Sequence, residues 1–445
     1  MYAAEHDPGF CWDNHMSANA LGNQTSAREI IETSGIVTYF QPILSARQRS
    51  VVGAEALSRG VIGVEALTRG TSGVNFAALT EGGQLIPPAT LFRMAAEEGL
   101  TLPLERLCRE TAIRSFAQLE RHEDLILFLN VETSTMGDDI DAADDILQSA
   151  ARASLGPRNI AIEILESAFE NAELLAEQLG KFRDHGFLLV LDDIGAGYSN
   201  LDRIALIKPD ILKLDRNLIR GIDKDYHRQE TFKSLVQLAR RIGALVVAEG
   251  VETQQQALIA LELGADLLQG FFLGKPANTG TLECAEAAAC IEALARRYKT
   301  HMIDRINQRK LQHRRFNIIL NQMLCELSKC DHDDFDDVLR TTICEYENVE
   351  CVYVMDESGT QITSTICNHR VPQRNKGIIF RPAPRGADHS LKEYYYVLLD
   401  VELNKYTTDP YVSLATGNLC RTISTCFRDA HNNKMYILCI DVLSE

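Results

Sequence analysis

The 445-residue sequence lacks the features that mark membrane-embedded or exported chains. No apolar run approaches the roughly 18 residues that suggest a membrane-spanning helix. The N-terminus also lacks the basic-then-apolar pattern of a signal peptide. We therefore expect a cytoplasmic protein without a membrane span.

Positive charge is scarce as well. The 45 Lys and Arg residues against 62 Asp and Glu residues give a net charge of −17, which argues against a nucleic-acid partner bound through its phosphate backbone. An acidic protein that handles a phosphorylated ligand would need metal ions to offset its own field.

The 12 cysteines show no zinc-like spacing, so we expect free thiols in a reducing compartment. No GxGxxG follows the first strand candidate, which disfavours a dinucleotide-binding fold.

What the chain does have, from Gly35 onward, is an alternation of strand-like and helix-like segments. The apolar strand candidates are Val37–Leu44, Val51–Leu57, Leu125–Val131, Ile160–Leu165, Phe187–Leu191, Ile211–Leu214, Leu245–Ala248 and Leu267–Phe272. The helix candidates between them are Pro88–Glu98, Leu104–Leu119, Asp144–Ala153, Glu170–His185, Asn200–Ile207, His227–Ile242 and Thr253–Leu263. Alternating βα units with buried strands indicate a parallel sheet with helical cover. Eight such strands favour an α/β fold of the closed (β/α)8 barrel type.

Polar side chains interrupt nearly every apolar run near its carboxyl end. The stretch FLLVLDDIGAGYSNL shows this most clearly, because its strand stops at Asp192 and Asp193. The corresponding polar residues of the other strands are Glu55, Asn130, Glu163, Lys213, Asp215, Glu249 and Gln269. In βα barrels these positions meet at one rim, where the chemistry lies. Buried carboxylates need partners, so the pattern predicts a metal site there.

Eight motifs carry a family resemblance over roughly Gly35 to Ala277. In order they are YFQPI, GAEALSR, LNV, IEILES, LDDIGAGYSNL, ILKLD, AEGVET and QGFFLGKP. Together they resemble the EAL-domain cyclic di-GMP phosphodiesterases. The resemblance implies a barrel whose first strand runs antiparallel and two bound Mg²⁺ or Mn²⁺ ions. It also implies hydrolysis of one phosphodiester of cyclic di-GMP to linear pGpG.

The same resemblance implies the metal ligands. Glu55, Asn130, Glu163 and Asp192 would hold the first ion, and Asp192 would bridge to a second ion held by Asp193. Hard carboxylate and amide oxygens suit Mg²⁺ or Mn²⁺ better than zinc. Paired ions would supply a hydroxide and offset the charge on the attacking and leaving oxygens.

Four further matched residues would serve catalysis. Lys213 would contact the attacking water, and we expect the metals beside it to depress its pKa. Glu249 would act as general base or as a ligand of the second ion. Asp215 and Gln269 would complete the polar wall.

The remaining three matched residues would contact the substrate or support a loop. Arg59 would grip a substrate phosphate, since its guanidinium is a forked, permanently charged donor. Gln41 would contact the nucleotide. Glu166 would brace the loop after Asp193, which carries much of the dimer contact in the family.

One motif is duplicated in this sequence. Residues 51–60 read VVGAEALSRG and residues 61–70 read VIGVEALTRG, so both copies carry a Glu and an Arg. Glu65 therefore competes with Glu55 as a metal ligand. We favour Glu55, which keeps the family spacing of 14 residues from Gln41. An insertion after the strand is also easy to accommodate, because the cost of loop closure grows slowly with length.

The C-terminal third begins with a stretch that has neither glycine nor proline from Thr281 to Ser358. Its first part, about 281–330, predicts one long helix or two end-to-end helices. Its run of arginines could suit nucleic acid, but we favour a solvated or dimer-forming connecting helix.

The sequence of residues 331–445 predicts a helix at Phe335–Tyr346 and a turn at Asp356–Gly359. The strand candidates there are Cys351–Met355, Thr360–Ile366, Tyr394–Val401 and Tyr436–Val442. This pattern resembles PAS-like sensor modules, and TTDPYVSLATGNLCRTIS resembles the Cache (PDC) subclass. The resemblance implies an α+β domain that binds an unknown small molecule or only dimerises.

We thus expect four segments: 1–33 irregular, 34–280 phosphodiesterase barrel, 281–330 connecting helix and 331–445 sensor or dimerisation domain. The leading hypothesis is an enzyme that acts on cyclic di-GMP and forms a homodimer. The alternative is a receptor that binds cyclic di-GMP without cleaving it. Because we find no cyclase-like segment ahead of the barrel, we expect no synthesis.

Overall fold

The computed structural model describes residues 26–62, 84–86, 88–131, 142–164, 172–196, 202–278, 284–372, 379–399, 403–429 and 433–443. The chain divides into two compact units, Met1–Ile303 and Asp304–Glu445. Both units combine helices with a sheet, but their topologies differ.

The first unit alternates strands with helices along most of its length. Its described strands are β1 (Ile36–Ser45), β2 (Ser50–Ile62), β3 (Gln84–Ile86), β4 (Ile126–Val131), β5 (Ile160–Ile164), β6 (Leu188–Ile194), β7 (Ile211–Leu214), β8 (Leu245–Ala248) and β9 (Leu267–Leu268). Its described helices are α1 (Ala27–Glu32), α2 (Pro88–Glu97), α3 (Thr101–Phe116), α4 (Ala142–Arg152), α5 (Ala172–His185), α6 (Asp202–Ile207), α7 (Arg216–Ile219), α8 (Tyr226–Ile242) and α9 (Gln254–Leu263).

The sheet closes on itself. The parallel ladder runs from β2 through β4, β5, β6, β7 and β8 to β9, and β1 pairs antiparallel with both end strands. β3 pairs with the far end of β2 and stands outside the ring. The structure therefore confirms a closed eight-stranded βα barrel, and its first strand is antiparallel.

An apolar layer fills the barrel interior. We call it the barrel floor, and it consists of Ile43, Phe128, Ala161, Val190, Ile211, Val247 and Leu267. Each comes from a different strand, and none belongs to a helix. The alternate side chains of the same strands point outward into a second cluster with the helices, as the two-residue period of a strand requires. This double burial explains why the strands read as nearly continuous apolar runs.

The N-terminal segment departs from the prediction. We expect residues 1–33 to be irregular, but Ala27–Glu32 form α1. The Ser26 hydroxyl accepts a hydrogen bond from the amide of Glu29, and the Glu98 carboxylate accepts one from the amide of Ala27 at 2.7 Å. These side chains satisfy amides that a helix start leaves free, and the sequence alone does not show that distant Glu98 would take part.

The second unit contains most of a long helix and an antiparallel sheet. The helix is α10 (Cys284–Leu327), which is continuous as the missing glycine and proline predict. The other elements are α11 (Phe335–Ile343), α12 (Glu393–Leu399), β10 (Val349–Asp356), β11 (Ile366–Cys367), β12 (Lys405–Thr407), β13 (Tyr411–Val412), β14 (Leu419–Arg428) and β15 (Met435–Leu443). The sheet order is β11-β10-β15-β14-β12, and β13 also pairs with β14.

Both faces of this sheet are covered. Val352 and Val354 pack with the end of α10 and with α11, whereas Tyr353 and Met355 pack with α12. None of the described helices of either unit is long and apolar enough to cross a membrane.

Two strand predictions in the second unit are wrong. Most of the predicted strand Tyr394–Val401 lies in helix α12, where Tyr394 and Leu398 share one buried face at helical spacing. Of Thr360–Ile366, Ile366 lies in a strand, while Thr360 and Gln361 form isolated bridges. The sequence does not predict β14, because three of its buried residues, Thr422, Ser424 and Thr425, are polar and interrupt the apolar pattern.

Candidate active site

The polar residues of the strand ends stand one step above the barrel floor. A side chain two residues further along a strand lies on the same face, so each lies over its own floor residue. Residues two positions after a floor residue are Asn130, Glu163, Asp192, Lys213, Glu249 and Gln269. In antiparallel β1 the order is reversed, and Gln41 precedes Ile43 by two. The fold therefore directs these polar side chains to one end of the barrel.

Lys213 lies at the centre of this group and is 1% exposed. Its Nζ lies 2.6 Å from a carboxylate oxygen of Glu163 and 2.6 Å from one of Glu249. The nearest oxygens of Glu55 and Asp192 are each 3.3 Å away. One ammonium thus faces four carboxylates, which leaves the cluster short of positive charge.

Glu55 is the residue that links this cluster to the neighbouring amides. Gln269 donates to its Oε2 at 2.6 Å, and Asn130 approaches its Oε1 at 3.5 Å. Gln269 also donates to the Oε1 of Gln41 at 3.2 Å. Gln41 in turn donates to the carbonyl of Gly274 at 3.3 Å, a contact that sequence reasoning missed although Gly274 lies in the matched QGFFLGKP motif.

A β-bulge places Asp192 and Asp193. Leu191 of β6 pairs with Leu212, and Ile194 pairs with Leu214, so two aspartates lie opposite the single residue Lys213. Asp193 has a φ of 57°, in the left-handed region. Ligand oxygens of Asp192, Asp193 and Glu249 all lie within 4.8 Å of one another. A regular strand would instead direct consecutive side chains to opposite faces.

Burial and mutual repulsion perturb the carboxylates. Burial raises the pKa of Glu163 well above its usual value, and it does the same for Glu249, where Asp192 adds to the effect. Burial and the charge of Asp192 raise the pKa of Asp193 to about 6. Burial would raise the pKa of Glu55 too, but the Lys213 ammonium and the hydrogen bond from Gln269 lower it overall.

The carboxylates around Lys213 determine the direction of its pKa in the site that the chain's own residues form. Burial alone would lower its pKa, but the carboxylates of Asp192, Glu163, Glu249 and Glu55 raise it well above the usual value. The expected depression of this pKa refers to the site with bound cations, so it stays a prediction.

A hard divalent cation fits this donor set. Glu163 is fully buried, and neither of its carboxylate oxygens has a hydrogen bond of normal geometry, although one lies beside Lys213. The Oε1 of Glu249 is also buried and has no hydrogen bond of normal geometry, although it lies 2.6 Å from the Lys213 Nζ. Buried carboxylates of this kind are normally paired or bind metal, and carboxylate and amide oxygens are the ligands of Mg²⁺, Mn²⁺ and Ca²⁺.

Two glycines hold the loops behind the site. Gly250 follows Glu249 with a φ of +63°, and a Cβ there would lie 2.3 Å from the Cβ of Arg216. Gly270 follows Gln269, and a Cβ there would lie 2.2 Å from backbone atoms of Val251. The glycines of the AEGVET and QGFF motifs thus permit the close packing that fixes the two polar residues before them.

The structure places Asp215 at the start of helix α7. Its carboxylate caps α7 by accepting from the amide of Asn217 at 2.9 Å, and its charge adds to the raised pKa of Asp193. The backbone of Arg59 lies in β2, but its side chain is outside the described part of the chain. Glu166 and Glu65 also lie outside the described residues.

Fold and site together define a class: a closed βα barrel with a buried acidic cluster at one end of its strands. The family model described as EAL domain matches residues 24–276, which is more than half of the chain. The chain therefore belongs to the EAL domain family.

Relatives of known sequence and structure are consistent with this membership. YkuI of Bacillus subtilis (strain 168), an uncharacterised EAL-domain protein, is 26% identical over 399 residues, which cover 87% of this chain and 91% of YkuI. The crystal structure of YkuI in complex with substrate c-di-GMP and calcium matches with a TM-score of 0.71 and 25% identity, covering 95% of this chain and 100% of that one. The cyclic di-GMP phosphodiesterase PdeR of Escherichia coli (strain K12) is 30% identical over 259 residues, 57% of this chain but 35% of PdeR. The chain thus spans most of YkuI and about a third of PdeR.

Proposed function

We propose that the barrel is a metal-dependent phosphodiesterase that hydrolyses cyclic di-GMP to linear pGpG. The observation that carries the proposal is the convergence of four carboxylates on the single ammonium of Lys213, with buried oxygens of Glu163 and Glu249 that lack a hydrogen bond of normal geometry. Membership of the EAL family supports the substrate, since PdeR is a cyclic di-GMP phosphodiesterase and YkuI binds c-di-GMP.

The side chains would hold two Mg²⁺ or Mn²⁺ ions. Glu55, Asn130, Glu163 and Asp192 would bind the first, and Asp192 with Asp193 would bind the second. Bound there, such ions would supply a hydroxide at neutral pH and offset charge on the attacking and leaving oxygens. The 4.8 Å grouping of Asp192, Asp193 and Glu249 supports the second position.

The remaining residues would orient water and substrate. The Lys213 ammonium, held by carboxylates on several sides, would donate a hydrogen bond to the attacking water. Glu249, whose carboxylate lies 2.6 Å from the Lys213 ammonium, would accept a proton from that water. Arg59 would pair with a phosphate of the substrate, and Gln41 and Gln269 would complete the polar wall beside the nucleotide. Glu166 is proposed to brace the loop that follows Asp193.

The decisive experiment incubates the full chain with cyclic di-GMP and either Mg²⁺ or Mn²⁺ and follows pGpG by chromatography. We expect product with the cation and none after chelation. Tight binding of cyclic di-GMP without product would contradict the proposal. That outcome would favour the receptor alternative, which the same set of binding residues also permits.

For the second unit we propose a PAS/Cache-like domain that binds a small molecule and regulates the barrel. Its antiparallel sheet with helices on both faces supports this assignment. We further propose a homodimer formed through α10, on which Leu311 and Ile318 are each 58% exposed and lie seven residues apart, as in a coiled-coil seam. Light scattering should show a dimer that Leu311→Glu weakens; a monomer in the unmodified chain would contradict it.

A further inference from the structure

We propose that Cys351 and Cys367 are a thiol-oxidation site, at which a peroxide converts the two thiols into a reversible disulfide. The pair lies in the second unit, on β10 and β11. The proposal does not depend on what the barrel hydrolyses.

Their place in the sheet suits the bond. Cys351 and Cys367 are direct partners in the antiparallel β10–β11 ladder, and their sulfur atoms lie 2.9 Å apart. The neighbouring pair, Glu350 and Asn368, makes the backbone hydrogen bond, with Asn368 N donating to Glu350 O at 2.8 Å. The cysteines therefore occupy the alternate, non-hydrogen-bonded position, where Cα atoms are about 4.5 Å apart. That spacing lies within the range of about 4.4–6.8 Å that disulfides span, so no backbone movement is needed.

The two thiols differ in access and in acidity. Cys351 is fully buried, whereas Cys367 is half-buried and open to a small oxidant. The Cys351 thiol donates a hydrogen bond to the sulfur of Cys367, which lowers the pKa of Cys367 and raises that of Cys351. Because the thiolate is the nucleophile, Cys367 is the sulfur that reacts first and Cys351 is the one that resolves the product.

The chemistry balances with hydrogen peroxide as the oxidant. The Cys367 thiolate attacks one peroxide oxygen and the O–O bond breaks, which gives a sulfenic acid and, after protonation, water. The Cys351 sulfur then attacks the sulfenic sulfur, the S–O bond breaks and a second water leaves with the Cys351 proton. Both sulfurs are oxidised and both peroxide oxygens are reduced. A dithiol such as dithiothreitol reverses the step by thiol–disulfide exchange.

The bond would also change the sheet edge. β11 is a two-residue strand at the end of the sheet order, next to β10. Linking it covalently would close the loop between Cys351 and Cys367 and restrict the unfolded chain. The oxidised second unit should therefore unfold at a higher temperature than the reduced one.

The test treats the full chain with hydrogen peroxide, blocks remaining thiols with iodoacetamide and maps the cysteines by mass spectrometry. We expect a Cys351–Cys367 disulfide as the main product, reversed by dithiothreitol, and a melting temperature of the second unit several degrees higher. Cys367→Ser should abolish both effects. The matched control is Cys344→Ser, which removes another half-buried thiol of the same unit, one that lies 3.6 Å from His369, and it should leave both effects unchanged.

Three results would overturn the proposal. Both cysteines could be alkylated separately while other thiols oxidise. Cys367 could pair with a cysteine other than Cys351. Finally, Cys367 could proceed to a sulfinic acid without bonding Cys351. Mapping on the unmodified chain distinguishes these outcomes, so a variant that fails to fold does not affect the test.

Discussion

Both units bury carboxylates in their interiors, yet they stabilise them differently. In the barrel, Glu163 is fully buried with both oxygens lacking a normal hydrogen bond, and four carboxylates share the ammonium of Lys213. In the second unit, Asp441 is 4% exposed but accepts from the hydroxyls of Thr422 at 2.7 Å and Tyr411 at 3.3 Å.

Glu350 follows the pattern of Asp441 at one of its oxygens. Its Oε1 accepts from the amide of Asn418 at 2.8 Å and from the hydroxyl of Thr416, although its Oε2 has no partner. Neutral donors from the surrounding strands and loops thus serve the second unit, whereas in the barrel four carboxylates share one ammonium and neither oxygen of Glu163 has a normal hydrogen bond. The difference distinguishes buried carboxyl groups that accept hydrogen bonds from neutral donors from the carboxylates that we propose receive a cation.

The strongest test of this comparison changes one aspartate in each unit to asparagine. Asp192→Asn should reduce pGpG formation by more than the roughly 10–100-fold that outer-shell changes cost metal sites, because the carboxylate that we propose bridges the two ions would lose its charge. Asp441→Asn, the matched control, should leave turnover within about twofold, because Asp441 and its hydrogen-bond partners Thr422 and Tyr411 all belong to the second unit. Equal losses in the two variants would break the comparison.

The duplicated motif allows a second test of which carboxylates belong to the cluster. Glu55 contacts Lys213 and Gln269, so Glu55→Ala should abolish turnover. Glu65→Ala should leave most of it, because we expect Glu65 to lie in the inserted loop. Steady-state rates of pGpG release compare the two variants, and the opposite result would show that the second copy supplies the ligand.

The third prediction concerns how the stability of the second unit depends on pH. Burial, with a contribution from the Glu350 carboxylate, raises the pKa of Asp441 to about 7. The native state therefore holds a proton that the unfolded chain has already lost, so stability falls as pH rises from about 4 to about 7 and is level above that. The expected loss is on the order of 4 kcal/mol.

Asp441→Asn supplies the control for this pH effect, because the amide does not titrate. Thermal unfolding of the second unit between pH 5 and pH 8 should show a slope in the unmodified chain and a flatter one in the variant. If the two slopes agree, the Asp441 carboxyl is not the group that titrates.

The smallest expected effect is stabilisation of the barrel by a cation. A ligand at a hundred times its Kd adds about 2.7 kcal/mol to the native state, which Mg²⁺ or Mn²⁺ should show as a rise in the melting temperature of the first unit. Glu163→Gln should remove the rise, whereas Asp441→Asn should retain it. A rise that persists in Glu163→Gln would mean that the ion binds elsewhere.

Much of the barrel follows from its apolar runs. Strands such as Ile160–Ile164 and Ile211–Leu214 are buried on both faces. Such strands appear in the sequence as short, nearly continuous apolar runs of strand length. The site residues could be predicted for a related reason, since a polar residue that ends such a run has few structural uses. The sequence therefore predicts the members of the cluster from Glu55 to Gln269, and the structure brings them together at one end of the barrel.

Other features depended on tertiary contacts that no local pattern carries. Tyr394–Leu399 is rich in residues that suit strands, but packing of Tyr394 and Leu398 against the sheet makes it helical. The pKa direction of Lys213 depends on which charges surround it, and α1 depends on Glu98 some 70 residues away. The bulge at Asp192 and Asp193 cannot be predicted from the sequence either, because two adjacent aspartates do not indicate whether a strand is regular or bulged.

That bulge has a consequence for how such a site can evolve. A chain with one residue fewer between Leu191 and Ile194 would have an uninterrupted β6–β7 ladder and no left-handed aspartate, so its sheet would be more regular. The same deletion would leave one acidic side chain where we propose that Asp192 and Asp193 both hold the second ion. Selection for stability alone would favour the shorter strand, so we infer that the extra residue serves the site and not the fold.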